Sequence, residues 1–281
     1  MKFHSTLFVV VTLLIFSLGC VGQNVDVKEG LSIDLSVDPA DIFYTEQATL
    51  FADMENLGDK DFTKLDYAVF DTGILECRGC RHGNVANPLC LGQVEDISPD
   101  EIVSVECDLG LRPGIPLVEQ NSQTTVSFKA TSENELKSTF VVQALSHEEW
   151  RRRVTTGNLQ RIGSSFGARD NNLQMDITFT KDMPFVENQA GEKVLFSVKL
   201  SNIGNGYINE LKPEQFMIEQ QFNYATCDFT RTLTSFNGQF PPIYCELLVT
   251  TQGQSSANYP ITISVNYQYE VRDSVDVTIR R

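Results

Sequence analysis

Cys77 and Cys80, followed by Cys90 and Cys107, form the densest group of side chains in this chain that could do chemistry. A Cys-X2-Cys pair is a common first knuckle of a tetrahedral zinc site, where deprotonated sulfurs ligate the metal. The second knuckle is missing, because Cys90 and Cys107 are far apart. Two more cysteines, Cys227 and Cys245, stand in the second half, and two alone cannot close such a site. Matching the halves pairs Cys77 with Cys227 and Cys107 with Cys245. The simpler expectation is therefore nested disulfides, Cys77–Cys107 around Cys80–Cys90, with Cys227–Cys245 downstream. Each core bridge would contribute roughly 3–4 kcal/mol by loop entropy. A zinc- or thiol-dependent protein using Cys77, Cys80, Cys90 and Cys107 is the competing expectation.

Other candidates are weaker. His82 follows Cys80 by two positions, so the Cys-X-X-Cys-His pattern of haem attachment is absent. Gly163-Ser-Ser165-Phe-Gly167 matches the nucleophile elbow of serine hydrolases, but no histidine follows His147. A flexible Gly/Ser joint explains that stretch better. The acidic residues Glu95, Asp96, Asp100 and Glu101 lack the spacing of a calcium loop and read as a solvated charged loop. Arg151, Arg152, Arg153, Arg161 and Arg169 cluster between the halves of a chain that is otherwise acidic. They could bridge to acidic sheet edges, or contact anionic lipid heads or an acidic partner. Trp150 beside them could plug the space between the halves or anchor a partner. No catalytic residue, metal or cofactor is expected.

The elements that hold these residues alternate with period two, which places apolar side chains on one strand face. Val103, Val105, Cys107 and Leu109 alternate with polar neighbours, as do Ile243, Cys245, Leu247 and Val249. Cys107 and Cys245 should therefore face a core. The same correspondence runs through the chain. Leu31 to Val37 matches Leu173 to Phe179, and the strand ending Asn56-Leu-Gly58 matches the one ending Asn202-Ile-Gly204. Asn-X-Gly after such a strand suggests a turn tolerating positive φ. At the end of each half, two strands are expected on either side of Glu135 to Ser138 and of Glu270 to Asp273, matched without a gap. The chain is a tandem duplication, each unit having roughly seven short strands, which reads as an immunoglobulin-type antiparallel β-sandwich. The expected boundaries are 31–146 and 172–281. A linker at 147–171 would begin with a short helix capped by Ser146 and Glu149.

A net charge of −15 argues against nucleic acid, which requires a basic footprint. It fits a soluble surface protein or one from a salty habitat. An apolar content of 41% is enough for real cores. Residues 1–20 read as an export signal: Lys2 and His4, an uncharged apolar run from Leu7 to Leu18, then Gly19-Cys20. Cys20 resembles the lipidated cysteine of a lipobox, although Ser17 and Leu18 stand in the reverse of the usual bacterial order. Residues 21–30 would be an acidic tether. The six remaining cysteines in an exported chain make disulfides the default.

Leu31 to Asp38 followed by Pro39, the strand ending Glu55-Asn56-Leu-Gly58 and its copy ending Ser201-Asn202-Ile-Gly204 resemble archaeal exported lipoproteins with tandem CARDB-like modules. Paired cysteines are not general in such modules. The resemblance spans most of the mature chain. It implies a non-enzymatic, membrane-anchored extracytoplasmic protein for binding, adhesion or spacing, with no catalytic residue to carry over. A structural subunit of an envelope complex is the alternative. The expected partners are the membrane, through an N-terminal lipid, and an unknown surface protein or glycan.

Overall fold

The computed structural model describes residues 30–83, 85–115, 121–187, 193–220 and 224–280. The expected export signal, Cys20 and the tether as far as residue 29 lie outside the described residues.

The first half supplies β1 (Leu31–Asp38), β2 (Asp41–Phe43), β3 (Gln47–Asn56), β4 (Phe62–Asp71), β5 (Leu75–His82), β6 (Val85–Asn87), β7 (Leu91–Ile97), β8 (Ile102–Leu111) and β9 (Ser122–Leu145). Helix α1 (His147–Thr155) follows. The second half supplies β10 (Ser165–Arg169), β11 (Leu173–Phe179), β12 (Phe185–Val186), β13 (Lys193–Asn202), β14 (Glu210–Leu211), β15 (Phe216–Gln220), β16 (Ala225–Asp228), β17 (Leu233–Thr234), β18 (Ile243–Leu248) and β19 (Ser256–Arg280). The fold is all-β: two immunoglobulin-like antiparallel sandwiches in tandem, with one short helix between the repeats. One outer sheet has the order β1-β3-β8-β5-β6, and its repeat has the order β10-β11-β13-β18-β16. A third sheet, β15-β19-β9-β4-β7, backs both.

That shared sheet departs from the expectation of two strands at the end of each half. β9 and β19 are single strands of 24 and 25 residues. Nothing between Glu135 and Ser138 can turn the chain, since Gly, Pro and Asn-Gly are all missing there. The alternation also keeps its phase. Phe128, Ala130, Ser132, Leu136, Ser138 and Phe140 are all buried on the same face. A register slip or turn would have sent one side of this set to solvent.

β9 and β19 pair antiparallel along their whole length, with Glu133 opposite Gln268 at the midpoint. Each strand begins in one sandwich and ends in the other. The start of β9 pairs with β4, and its end pairs in parallel with β12. The start of β19 pairs with β15, and its end pairs in parallel with β2. Each sandwich is therefore completed by the terminal strand of the other repeat. The cores record the exchange. Phe140, from the first repeat, stacks on Phe166 at 5.1 Å and meets Phe179 edge-on at 5.8 Å. Val277 and Ile279, from the second, are fully buried beside the first sandwich's outer sheet.

The sandwiches meet at a waist built from the duplicated Asn-X-Gly turns. Leu57 N donates to Gly30 O, and its counterpart Ile203 N donates to Asn172 O, both at 2.8 Å. Asn56 and Asn202 each accept from the glycine two residues on and donate to a carbonyl four residues on. Positive φ is not the reason for these glycines, because neither Gly58 nor Gly204 adopts it. A Cβ on Gly58 would run into the Asn171 side chain, and one on Gly204 would meet the Tyr269 hydroxyl. Close approach across the waist is what requires glycine there.

Candidate binding surfaces

Among the described residues all six cysteines are paired in disulfides, but the pairing differs from the nested expectation. The bridges are Cys77–Cys90, Cys80–Cys107 and Cys227–Cys245. The reason is local. β5 pairs Cys77 with Leu109, and a β-bulge between Cys77 and Gly79 then shifts its register by one, so Cys80 in place of Gly79 lies directly across from Cys107. Cys227 and Cys245 face each other in the same way across β16 and β18. In both pairs the Cα atoms are 4.0 Å apart. The counterpart of Cys227 is therefore Cys80. Cys107 and Cys245 are buried, as their strand phase requires.

The remaining bridge, Cys77–Cys90, has no counterpart in the second half. It joins β5 in one sheet to the residue just before β7 in the other, with Cα atoms 6.1 Å apart. Between them runs the hairpin through β6, an insertion in the first repeat. Val85 and Leu89 are 71% and 70% exposed, and Leu91 is half exposed. Both β6 and β7 are edge strands, so their outward backbone groups are open to a partner strand. Three aliphatic side chains are thus held in water by a covalent staple.

The four-thiolate zinc expectation meets the same geometry. The sulfurs of Cys77, Cys80 and Cys107 lie within 4.8 Å of one another. All four cysteines are already bonded in pairs, and a disulfide sulfur is not a thiolate ligand.

Trp150 is not a plug between the sandwiches. α1 follows β9 at the far end of the second sandwich and buries none of its residues. Ser146 caps it, accepting from Glu149 N at 3.2 Å. The Glu149 carboxylate does not close a capping box. It binds Arg152 and Arg153 on its own helix, and those hydrogen bonds hold it down to a pKa of about 2. So Arg152 and Arg153 do not bridge to the sandwich edges, while Arg151 is exposed on the helix surface. Trp150 and Val154 line an open depression with Met183 and Pro184. Ser165 and Gly167 belong to β10, an added edge strand paired with β11, so the elbow-like stretch is neither a nucleophile turn nor a free joint. In the acidic loop, the Glu101 carboxylate accepts from Ser98 N at 2.8 Å.

One surface went unread in the sequence. On the outer face of the second sandwich's sheet, Tyr244 is 67% exposed and Leu195 is 51% exposed. At the matching place in the first repeat, Glu106 is engaged by Arg81, where the second repeat has Tyr244 opposite Asp228. The available signal was the unbroken apolar run Val194-Leu195-Phe196, which puts an apolar side chain on the polar phase of its strand.

No protein family and no curated protein matches this sequence. Among solved structures, a partial N-terminal region of the enterococcal surface protein is 7% identical, covering 89% of this chain and 90% of that one, at a TM-score of 0.21. The collagen adhesin from S. aureus is 11% identical over 91% of this chain and 94% of that one, at a TM-score of 0.15. Likeness at that level carries no argument about this chain.

Proposed function

We propose that this chain is a non-enzymatic surface protein, tethered to the membrane through a lipid on Cys20, that binds a partner through the hairpin stapled by Cys77–Cys90. The observation that carries this reading is the exposure of Val85, Leu89 and Leu91 on that hairpin. Leaving such side chains in water forgoes roughly 1.5–3 kcal/mol each. The staple keeps them there in one repeat and not in the other. An apolar knuckle flanked by two open edge strands suits a protein partner that adds a strand and covers the knuckle. Disulfides throughout the described residues support an extracytoplasmic location. The CARDB-like motifs and the lipobox-like Cys20 support the tether.

The experiment is site-specific photocrosslinking from position 89 in the protein's native membranes. The reading expects one dominant crosslinked protein, lost when Val85→Asp is combined with crosslinking at the same site. A ladder of unrelated products, insensitive to Val85→Asp, would sink it. The second reading, a fixed subunit of an envelope complex, draws support from α1. That helix buries none of its residues and presents Trp150 and Arg151, with Arg152 and Arg153 alongside, to an acidic partner or to lipid heads. A stoichiometric partner in detergent extracts, lost on Trp150→Ala, favours it.

A further inference from the structure

We infer that the partner's strand joins β7 and not β6, with an apolar side chain beside Leu91 and a basic one beside Glu95; this rests on the proposed binding at the stapled hairpin. β6 has 3 residues and β7 has 7. In an antiparallel pair only alternate residues turn their backbone groups away from the neighbour, so β6 turns at most about two outward. β6 also runs straight into a turn. Pro88 follows Asn87, whose side chain accepts from Leu89 N at 2.9 Å.

The outward residues of β7 follow from one hydrogen bond. Val69 N donates to Cys90 O at 3.0 Å. That pair faces across the ladder, and by alternation so do Tyr67–Gly92 and Leu65–Val94. Leu91, Gln93 and Glu95 therefore turn their N–H and C=O groups away from β4, toward the open edge of the sheet. Their side chains share the outer face, where all three are exposed, while Val94 and Leu65 are buried on the other. A strand added at this edge sets its own alternate side chains beside these three.

That face changes character along β7. At one end Leu91 lies opposite Ala68, and the same row continues through Lys129 to Arg272. Both cations sit over the Phe70 ring, 5.9 and 5.6 Å from its centre, and both pair with the Glu270 carboxylate. Phe70 is 47% exposed, so it and Leu91 carry the apolar surface of the knuckle onto the sheet. At the other end Glu95 stands opposite Lys64, which bridges to Asp66 at 3.7 Å, and Asp96 comes next. Carboxylates outnumber the ammonium there, in a chain whose net charge is −15. A Lys or Arg complements that end, and an acidic residue is repelled from it. Lys129 and Arg272 disfavour a basic residue at the Leu91 end, which sets the register. The occupant is thus a strand of a partner protein with an apolar and a basic residue four positions apart. That spacing is the same whether the strand runs parallel or antiparallel to β7.

The test is photocrosslinking from position 89 of the full-length protein in its native membranes, with the captured segment sequenced by mass spectrometry. The segment should hold an aliphatic or aromatic residue and a Lys or Arg four apart. Gln93→Pro should cut the yield about tenfold, because it removes an outward N–H and puts a ring in the path of the added strand. It leaves the β4 ladder intact, since that N–H faces away from β4. Gln93→Ala, which keeps the N–H, should cost far less. Glu95→Gln should cut the yield about 2–5-fold, the range of one exposed ion pair, and Glu95→Lys further. A single product whose yield survives Gln93→Pro or Glu95→Lys, or whose segment lacks that spacing, overturns the inference and leaves the hairpin reading standing. A ladder of unrelated products from position 89 removes that reading and the inference with it.

Discussion

The phenol of Tyr267 donates to the Asp170 carboxylate at 2.7 Å, linking β19 to the β10–β11 turn inside the waist. Burial, with Asp170 beside it, pushes the Tyr267 pKa well above the usual phenol range. Burial likewise raises Tyr269 and Tyr259, each to about 12. A raised phenol pKa favours the protonated form in the folded state. The contribution is thus fully present below the unfolded value of about 10 and is lost as pH rises beyond it. Urea midpoints should be flat through neutral pH and fall steadily between about pH 10 and 12. Tyr267→Phe should lose about 1.5–3 kcal/mol at neutral pH, the usual worth of a hydrogen bond to a charged group, and flatten the alkaline slope. An unchanged slope in that variant would show that the waist phenol is not the group responsible.

The exchanged strands make a counterintuitive demand on truncation. Glu270 to Arg280 form the last part of β19, yet they lie along the first part of β9 and beside β2. Ending the protein after Tyr269 removes Val271, Val277 and Ile279, each buried and worth roughly 1.5–3 kcal/mol. Hydrogen exchange should then show protection lost from β3, β4 and β8, near the start of the chain, and kept in β11, β13 and β18. Loss confined to the second repeat would contradict the exchange.

Gly58 tests the waist from the other side. Asn171, which a Cβ at Gly58 would strike, cannot swing away freely. Its Oδ1 accepts from Asp59 N at 3.0 Å and its Nδ2 donates to Lys60 O at 2.9 Å. Gly58→Ala should therefore destabilise by about 1–3 kcal/mol, as overpacking does. Gly163→Ala, where a Cβ meets nothing, should be neutral or slightly stabilising. Thermal unfolding of the two variants separates close approach from a general intolerance of substitution.

Much of this architecture was legible in period-two alternation, which gave the strands, the buried faces of Cys107 and Cys245, and the duplication. Two errors have physical causes. The alternation of β9 runs in one phase through Glu135 to Ser138, and that continuity was itself the evidence against a turn. What the sequence could not show was the partner. Pairing β9 with β19 along its full length is a long-range choice, and no local pattern encodes it. The cysteine pairing failed for the opposite reason, a single local event. One extra residue between Cys77 and Gly79 moves the position opposite Cys107 from Gly79 to Cys80, while Cys77 stays opposite Leu109. The knuckle of Val85, Leu89 and Leu91 was hidden because an aliphatic residue in an inserted loop reads the same whether it packs or stands exposed.

That bulge yields the most direct check. Tryptic cleavage at Arg78 separates Cys77 from Cys80, and a glutamate-specific protease cutting after Glu95 and Glu101 separates Cys90 from Cys107. Under non-reducing conditions the peptide holding Cys77 should remain joined to the one holding Cys90, and the Cys80 peptide to the one holding Cys107. A Cys77–Cys107 link would restore the nested arrangement and remove the staple from the exposed hairpin. In the second repeat, Cys227→Ala with Cys245→Ala opens a loop of 18 residues and should lower stability by about 3 kcal/mol on the loop-entropy scale. Cys77→Ser with Cys90→Ser should leave the sandwiches folded, because the cross-strand bridge Cys80–Cys107 remains. It should release the hairpin, seen as faster amide exchange across residues 85–91 and loss of the crosslink from position 89. A double serine variant that keeps both the protection and the crosslink would mean the hairpin holds its shape without the disulfide, and the staple would then have no part in binding.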